Sequence, residues 1–302
     1  MFMACREKNS HSSSFHSNGL SKFYFPQTLF YTFRVTPAKT SDPLCDIQQT
    51  KDVRRIPIHQ VGIRQLKYPV EILDRSGRPT PTVATLSMTV NLPAEQRGTH
   101  MSRFVEVLHS HGRIIQTRHL PDILRAMQVK LQSDSAHLVM EFPYFIEKHA
   151  PVTHAAALVD YQIKFEADLF GKDLDFRLTT TVPVTTLCPC SKAISDRGAH
   201  NQRGYVTLTT RSNEMVWIEE LIELIEQSAS AQIYSLLKRP DEKFVTEQAY
   251  DNPVFVEDLV RNVALRCNEH PKILWYRVEA ENMESIHNHT AYARIENGQI
   301  PE

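Results

Sequence analysis

The sequence predicts an α+β fold in which antiparallel sheets carry helices on one face. Several segments alternate apolar and polar residues with a period of two, which indicates half-buried strands. Other segments repeat apolar residues at helical spacing. The order of these segments places strands on both sides of a helix pair in each half of the chain. This order predicts two similar modules, each a sheet with two helices packed on it.

The first module begins with a strong strand signal. Residues 82–92, TVATLSMTVNL, alternate strictly and predict a strand with one buried face. Residues 101–111 and 120–131 carry apolar residues at helical spacing, so each is predicted to be a helix. Residues 137–145 are rich in strand-forming residues and predict the next strand.

The second module follows the same order. Residues 174–184 and 205–211 alternate again and predict two strands. A continuous apolar stripe predicts one long helix over residues 217–239. Residues 273–282 predict a strand, and a last strand is expected just after His289.

Another helix is predicted between these segments, over residues 251–267. Asn252 is the expected N-cap and Pro253 the first helical residue, because an amide side chain can cap and proline needs no N–H there. Glu257 then falls in the first turn, where the helix dipole favours a carboxylate.

Composition narrows the class of protein. A net charge of -1 provides no basic field that would gather nucleic acid. The sequence contains no apolar run long enough to cross a bilayer and no apolar signal core, so a soluble, non-secreted protein is expected. The 5 cysteines are odd in number and scattered, which favours a reducing compartment over a disulfide framework. A cytoplasmic location is therefore expected.

Residues 1–47 differ from the rest of the chain. They are rich in serine, nearly lack acidic residues before Asp42, and end in the linker-like TPAKTSDP at 36–43. The proline and small polar residues of 36–43 cannot build a core, and a disordered N-terminal extension is predicted. Residues 48–302 are predicted to form the catalytic domain.

Several residues of the second half could bind a metal. Cys188 and Cys190 flank Pro189 just after a predicted strand, and His200 follows in a polar loop. Proline fixes φ, so it would hold the two thiols at a fixed spacing. Thiolate and imidazole are ligands of zinc and iron, and carboxylates extend the set to manganese.

Two further segments could complete such a site. His287 and His289 alternate before the last strand, so on an extended segment both would point to one side. Glu242 lies in RPDEK, which is predicted to be a loop after the long helix. Taken singly, exposed histidines and carboxylates are more often solvated surface groups than ligands. The residues alone therefore predict a metal or thiol site assembled from distant segments.

The run TTLCPCSKAISDRGAHNQR at 185–203 closely resembles the signature of the type IB GTP cyclohydrolases, the prokaryotic first enzymes of folate synthesis. The resemblance spans residues 48 to 297 and includes four other motifs: RRIPIHQVGIRQLKYP at 54–69, SMTVNLPAEQRGTHMSRFVE at 87–106, LLKRPDEKFVTEQAYDNPVFVED at 236–258 and ESIHNHTAYA at 284–293.

This resemblance implies a fold, an assembly and a reaction. The fold is the bimodular tunnelling fold (T-fold), whose modules close into an oligomeric barrel, and a homotetramer with active sites at subunit interfaces is expected. The reaction opens the imidazole ring of GTP with water, releasing formate and 7,8-dihydroneopterin triphosphate. A divalent metal, Mn, Fe or Zn, is the implied cofactor, without nicotinamide or flavin.

The resemblance also implies roles for individual residues. The metal ligands would be Cys188, His200, Glu242 and His287. Catalysis would use Cys188, Cys190 and His200. Glu257 would accept N–H groups of the guanine edge. The remaining substrate-binding residues would be Lys238, Arg239, Lys243, Arg103, Arg203 and His289.

Two other functions are compatible with parts of this pattern. A nitrile reductase of the same fold would use a cysteine nucleophile and a nicotinamide cofactor. A non-catalytic protein could use Cys188 and Cys190 as a metal-binding or redox-sensing clip. Metal dependence and GTP turnover separate the three.

Overall fold

A computed structural model describes residues 46–298 as ten strands and six α-helices, with short 3₁₀ turns at Ile47–Gln49 and Thr117–His119. The predicted extension at 1–47 lies, except for its last two residues, outside the described part of the chain. No helix among the described residues has the length and apolar character needed to cross a membrane.

The strands are β1 (Ile58–Leu73), β2 (Pro79–Leu92), β3 (Ile114–Ile115), β4 (Ser135–His149), β5 (Ala156–Phe170), β6 (Asp173–Leu187), β7 (Asn201–Ser212), β8 (Ala231–Gln232), β9 (Ile273–Met283) and β10 (Thr290–Gly298). The helices are α1 (Met101–His111), α2 (Leu120–Leu131), α3 (Pro189–Ile194), α4 (Ile218–Glu226), α5 (Arg239–Asp251) and α6 (Val256–Glu269).

The two predicted modules are present. The first contains β1, β2, α1, α2, β4 and β5, and the second contains β6, β7, α4, α6, β9 and β10. The sequence predicts separate sheets, but β5 pairs with β6, so one sheet runs through both modules in the order β10-β9-β7-β6-β5-β4-β2-β1-β3. Its pairs are antiparallel except β1 with β3, which confirms the α+β fold class.

The core lies between the sheet and the helices. The alternation of residues 82–92 is confirmed, because Ala84, Leu86 and Met88 on β2 are fully buried, and α2 packs on this strand. In the second module, α4 and α6 pack over β6, β9 and β10. Burial of these apolar side chains is the main stabilising contribution to the fold.

The predicted long helix over 217–239 is wrong. Helix α4 ends at Glu226, and the chain then forms β8 against β6 before α5 begins at Arg239. Serines cause the break, since their hydroxyls compete for main-chain partners. Ser228 Oγ donates to the Leu224 carbonyl at 2.8 Å, and the Ser230 main-chain N–H donates to the Thr185 carbonyl at 3.1 Å.

The predicted start of the helix over 251–267 is also wrong. Asn252 ends α5 rather than capping α6, and its side-chain amide donates to the Ala229 carbonyl at 2.9 Å. The Val254 main-chain N–H donates to the Leu187 carbonyl at 3.0 Å, which keeps the chain extended until α6 begins at Val256. Glu257 remains in the first turn of α6, as predicted.

Candidate active site

The Cys-Pro-Cys segment begins a short helix at the end of β6. Cys188 is the N-cap of α3 and Pro189 is its first residue, where a missing N–H costs nothing. The Cys188 Sγ accepts the Ser191 N–H at 3.4 Å, in the place usually taken by a capping oxygen. Cys188 is the N-cap and Cys190 the second residue of α3, so one short helix fixes the positions of both residues. Cys188 is half-buried and Cys190 is exposed, and both are free thiols.

Ser191 joins Cys188 to His200. The Ser191 hydroxyl donates to the Cys188 carbonyl and accepts the His200 main-chain N–H, each at 3.1 Å. The Cys188 N–H donates to the His200 carbonyl at 3.1 Å, which extends the β6–β7 pairing by one step. The sequence-predicted pair of a thiol and an imidazole is therefore brought together by main-chain geometry.

The ring of His200 has two further partners. Its Nδ1 lies 3.0 Å from Gln202 Oε1 and 3.2 Å from Ser285 Oγ. The second contact brings the segment between β9 and β10 next to His200. That segment carries His287 and His289, whose rings stack with centroids 5.3 Å apart and planes 12° apart. The prediction that both histidines point to one side is confirmed.

Glu242 does not lie in a loop, as the sequence predicts, but in the first turn of α5, where it is exposed. Its neighbour Asp241 is fully buried and anchors this helix to the turn between β4 and β5. The Asp241 carboxylate accepts the N–H groups of Val152 at 2.9 Å, Thr153 at 2.8 Å and Lys238 at 2.9 Å. Although burial opposes ionisation, these bonds and that of the Thr153 hydroxyl hold the pKa of Asp241 below its usual range.

Asp241→Asn should destabilise the protein in a pH-dependent way. A carboxyl with a lowered pKa in the folded state contributes stability above its unfolded pKa of about 3.9, and the contribution is lost as pH falls below that value. The difference in unfolding free energy between wild type and variant should therefore narrow below about pH 4. Urea titrations between pH 7 and pH 3 measure it, with the exposed Asp122→Asn as control. A difference that stays constant with pH contradicts this role.

The predicted substrate-binding residues of α5 and α6 form an exposed set. Arg239 and Lys243 lie on the first turns of α5, next to Lys238 at its N-cap, and Lys243 pairs with Glu247 at 3.4 Å. Glu257 on α6 is exposed, whereas the resemblance implies a buried carboxylate. Within residues 46–298, Glu257 is therefore not enclosed.

The other two predicted cations lie in different modules. Arg203 is exposed on β7. Arg103 is on α1 in the first module, and its guanidinium donates to the Lys130 carbonyl at the end of α2 at 3.2 Å. Helix α1 packs on β1 at the opposite end of the sheet from β7. Within one chain, Arg103 is therefore not brought to the same place as His200.

The metal-ligand set is only partly assembled. Cys188 and His200 are adjacent, and His287 is two residues from Ser285, which contacts His200. Among residues 46–298, no three His, Cys, Asp or Glu side chains are gathered closely enough to hold an ion. A thiol beside an imidazole nevertheless fits a divalent ion chemically. The full set of Cys188, His200, Glu242 and His287 remains a prediction.

A cavity of about 830 Å³ lies elsewhere, between β4, β5 and α4. Lys148 and Glu226 form a salt bridge of 2.7 Å in its wall, and the Tyr161 hydroxyl donates to the same carboxylate at 2.8 Å. None of the predicted site residues lines this cavity. These contacts connect α4 of the second module to strands of the first.

The sequence does not identify the residues whose hydrogen bonds support Cys188 and His200. Ser191 and Gln202 lie inside the run at 185–203 but were given no role, and Thr186 and Ser285 were also missed. One signal was available: Gln202 has the same parity as Val206 and Leu208, so a polar side chain occupies a core-facing position of a strand.

Comparison with known proteins agrees with the motifs. The family model described as "Type I GTP cyclohydrolase folE2" matches residues 44–293. The chain is 55% identical over 256 residues to the GTP cyclohydrolase FolE2 of Akkermansia muciniphila, covering 84% of this chain and 97% of that protein. It is 50% identical over 257 residues to the FolE2 of Magnetococcus marinus, covering 85% and 97%.

Among solved structures, a uricase from Arthrobacter globiformis aligns with a TM-score of 0.49 and 9% identity, over 80% of this chain and 93% of that chain. The family match spans most of the chain, including the segments that carry Cys188, His200 and His287. The chain therefore belongs to the FolE2 family of type I GTP cyclohydrolases.

Proposed function

We propose that this protein is a type IB GTP cyclohydrolase, which converts GTP and water to formate and 7,8-dihydroneopterin triphosphate in the first step of tetrahydrofolate biosynthesis. The observation that carries this function is identity of 50–55% to proteins named GTP cyclohydrolase FolE2, over at least 84% of the chain. The hydrogen-bonded Cys188–His200 pair lies inside the matched range.

The reaction begins with attack of water on C8 of guanine, which is a poor electrophile. When bound, a divalent ion such as manganese, iron or zinc would lower the pKa of water and supply hydroxide near neutral pH. Cys188 and His200 are the proposed first ligands, with His287 and Glu242 completing the set. The geometry that supports this choice is the 3.1 Å main-chain contact between Cys188 and His200.

Ring opening also requires protons at N7 and N9 as the C8 bonds break. Histidine and cysteine suit this work because they exchange protons near neutral pH. Cys190 is exposed whereas Cys188 is half-buried, which favours different tasks for the two thiols. We assign proton transfer to Cys190, and to the imidazole of His200 in states in which that ring is not a metal ligand.

Recognition of GTP needs an acceptor for the base and cations for the triphosphate. Glu257 is assigned to the guanine edge. Lys238, Arg239 and Lys243 cluster at the start of α5 and are assigned, with Arg203, Arg103 and His289, to the substrate. Since Arg103 lies far along the sheet from β7, its participation requires a second subunit.

A homotetramer with interface active sites is part of the same proposal. Within the described residues, β10 has a strand partner on one side only, and most of β1 likewise pairs only with β2. Long open edges invite pairing with another chain, and closing a barrel removes them. A cytoplasmic location fits an enzyme with free thiols.

The test is a GTP assay on protein loaded separately with manganese, iron or zinc. Formate release, together with a fluorescent pterin after oxidation, is expected only with metal and without a nicotinamide cofactor. Turnover of a nitrile with reduced nicotinamide, and none of GTP, would favour the reductase. Metal binding without either reaction would favour the non-catalytic clip.

Removal of residues 1–45 should leave folding and activity nearly intact. The family match begins at residue 44, and the segment before it has no periodic apolar face whose loss would disturb a core. Thermal unfolding and formate release of the truncated and full chains provide the comparison. Aggregation, or loss of most activity, would show that the segment belongs to the catalytic domain.

A further inference from the structure

We infer that Gln202 is a positioning residue that holds the imidazole of His200 in one tautomer, with the proton on Nδ1 and the lone pair on Nε2. Gln202 is the second residue of β7, two positions after His200, and is 8% exposed. This role rests on the proposed function of the site, but the tautomer itself can be measured without turnover.

The Gln202 amide turns its N–H₂ group toward β6 and its oxygen toward His200. Its Nε2 donates to Thr186 Oγ1 at 2.9 Å, and Thr186 is fully buried on β6. Gln202 pairs directly with Thr186 across the two strands, so the sheet itself fixes this contact. With the N–H₂ group turned to Thr186, the amide oxygen faces the ring of His200 at 3.0 Å from Nδ1.

An amide oxygen can only accept a hydrogen bond, so Nδ1 must be the donor. The Ser285 hydroxyl, 3.2 Å from the same nitrogen, can also accept. In a neutral imidazole with Nδ1 protonated, Nε2 carries the lone pair, which is the form that binds a divalent cation or accepts a proton. Hydrogen bonds of this kind commonly fix the ring and tautomer of histidine ligands.

The main chain holds the other end of the residue. The His200 N–H donates to Ser191 Oγ, and its carbonyl accepts from Cys188, so the backbone cannot rotate freely. The side chain of Gln202 is then the buried group that determines the ring orientation. Loss of Gln202 should leave the fold in place while releasing the ring.

The experiment uses the full chain without metal, labelled with ¹⁵N-histidine. Long-range ¹H–¹⁵N spectra at pH 8 distinguish a protonated ring nitrogen from one with a lone pair, and His200→Gln identifies the signal. Wild type should show the Nδ1–H tautomer. Gln202→Leu should shift the population toward Nε2–H, whereas Gln202→Glu, which keeps an acceptor at the same place, should retain Nδ1–H.

A second measurement is cobalt(II) affinity, followed by the thiolate charge-transfer band. Gln202→Leu should weaken binding roughly 10- to 100-fold, and Gln202→Glu should restore most of it. Thr209→Val removes a comparable buried contact, 2.9 Å to Thr179 on the same two strands, and should leave affinity unchanged. If Gln202→Leu does not fold, the tautomer of wild type and the tautomer and cobalt affinity of Gln202→Glu still test the inference.

Three results would overturn the inference: an Nε2–H tautomer in wild type, unchanged cobalt affinity in Gln202→Leu, or equal loss in Gln202→Leu and Gln202→Glu. Failure of metal-loaded wild type to release formate from GTP would instead remove the proposed function and leave the tautomer result standing.

Discussion

Cys188→Ala is expected to abolish formate release from GTP and, in the same preparation, to lower the metal bound per subunit. Cys188 is the half-buried thiol beside His200, and its main-chain N–H and carbonyl are both fixed. Removing one ligand from a three- or four-ligand site strongly lowers the affinity for the metal ion, and the activated water is lost with the ion. A fall in activity on the order of 1,000-fold or more is expected.

Cys190→Ala should have a different signature. Cys190 is the exposed second residue of α3 and is assigned to proton transfer rather than to the metal, so activity should fall more than metal content. Elemental analysis and formate release, measured on the same protein, separate the two effects. If the Cys190→Ala variant contains no metal while the Cys188→Ala variant keeps full metal occupancy, the roles of the two sulfurs are reversed.

Cys267→Ala is the matched control for both variants, because it removes a thiol from the buried face of α6. Cys267 is 2% exposed, and burial raises the pKa of its thiol to about 12, so it remains a neutral apolar group. This variant should lose about 1 kcal/mol of unfolding free energy and keep both metal and activity. If all three variants keep metal and activity, the proposed metal chemistry is wrong.

Strong local periodicity made much of the fold predictable. The helices at 101–111 and 120–131 have the predicted bounds, because each buries one regular apolar stripe. Strand β5 went unpredicted although Val159, Tyr161 and Ile163 alternate in it and are buried. Helix α5 was missed for a physical reason: only Asp241 and Ala249 are buried along it, so it presents no apolar face.

The candidate site was predictable in its residue types but not in its connections. Cys188, His200 and His287 stand in recognisable motifs, so a sequence can nominate them. The contacts of Ser191, Gln202 and Ser285 depend on strand register and on the turn after Cys188, which residue spacing does not encode. The sequence predicts a loop at Glu242 because apolar residues continue at helical spacing through the serines that follow α4, which lengthens the predicted helix.

Glu257→Gln should lower kcat/KM for GTP strongly while leaving metal content unchanged. A carboxylate can accept two N–H bonds from the guanine edge, whereas an amide of the same size presents one oxygen and one donor. Leaving a polar group of the base unmatched costs about 2–4 kcal/mol, or roughly 30- to 1,000-fold in kcat/KM. Glu257 is exposed in the single chain, so its removal should not disturb the fold.

Two controls make the measurement specific to base recognition. Asp258→Asn changes the adjacent carboxylate, which pairs with Arg261 at 3.1 Å, and should leave kcat/KM unchanged. Inosine triphosphate lacks the 2-amino group, so a cycle with both nucleotides and both proteins isolates the contact. Wild type should discriminate against inosine triphosphate, and Glu257→Gln should lose most of that discrimination, because the amino group no longer meets the carboxylate. Equal discrimination by both proteins would place the guanine contact elsewhere and leave Glu257 as a carboxylate favoured by the dipole of α6.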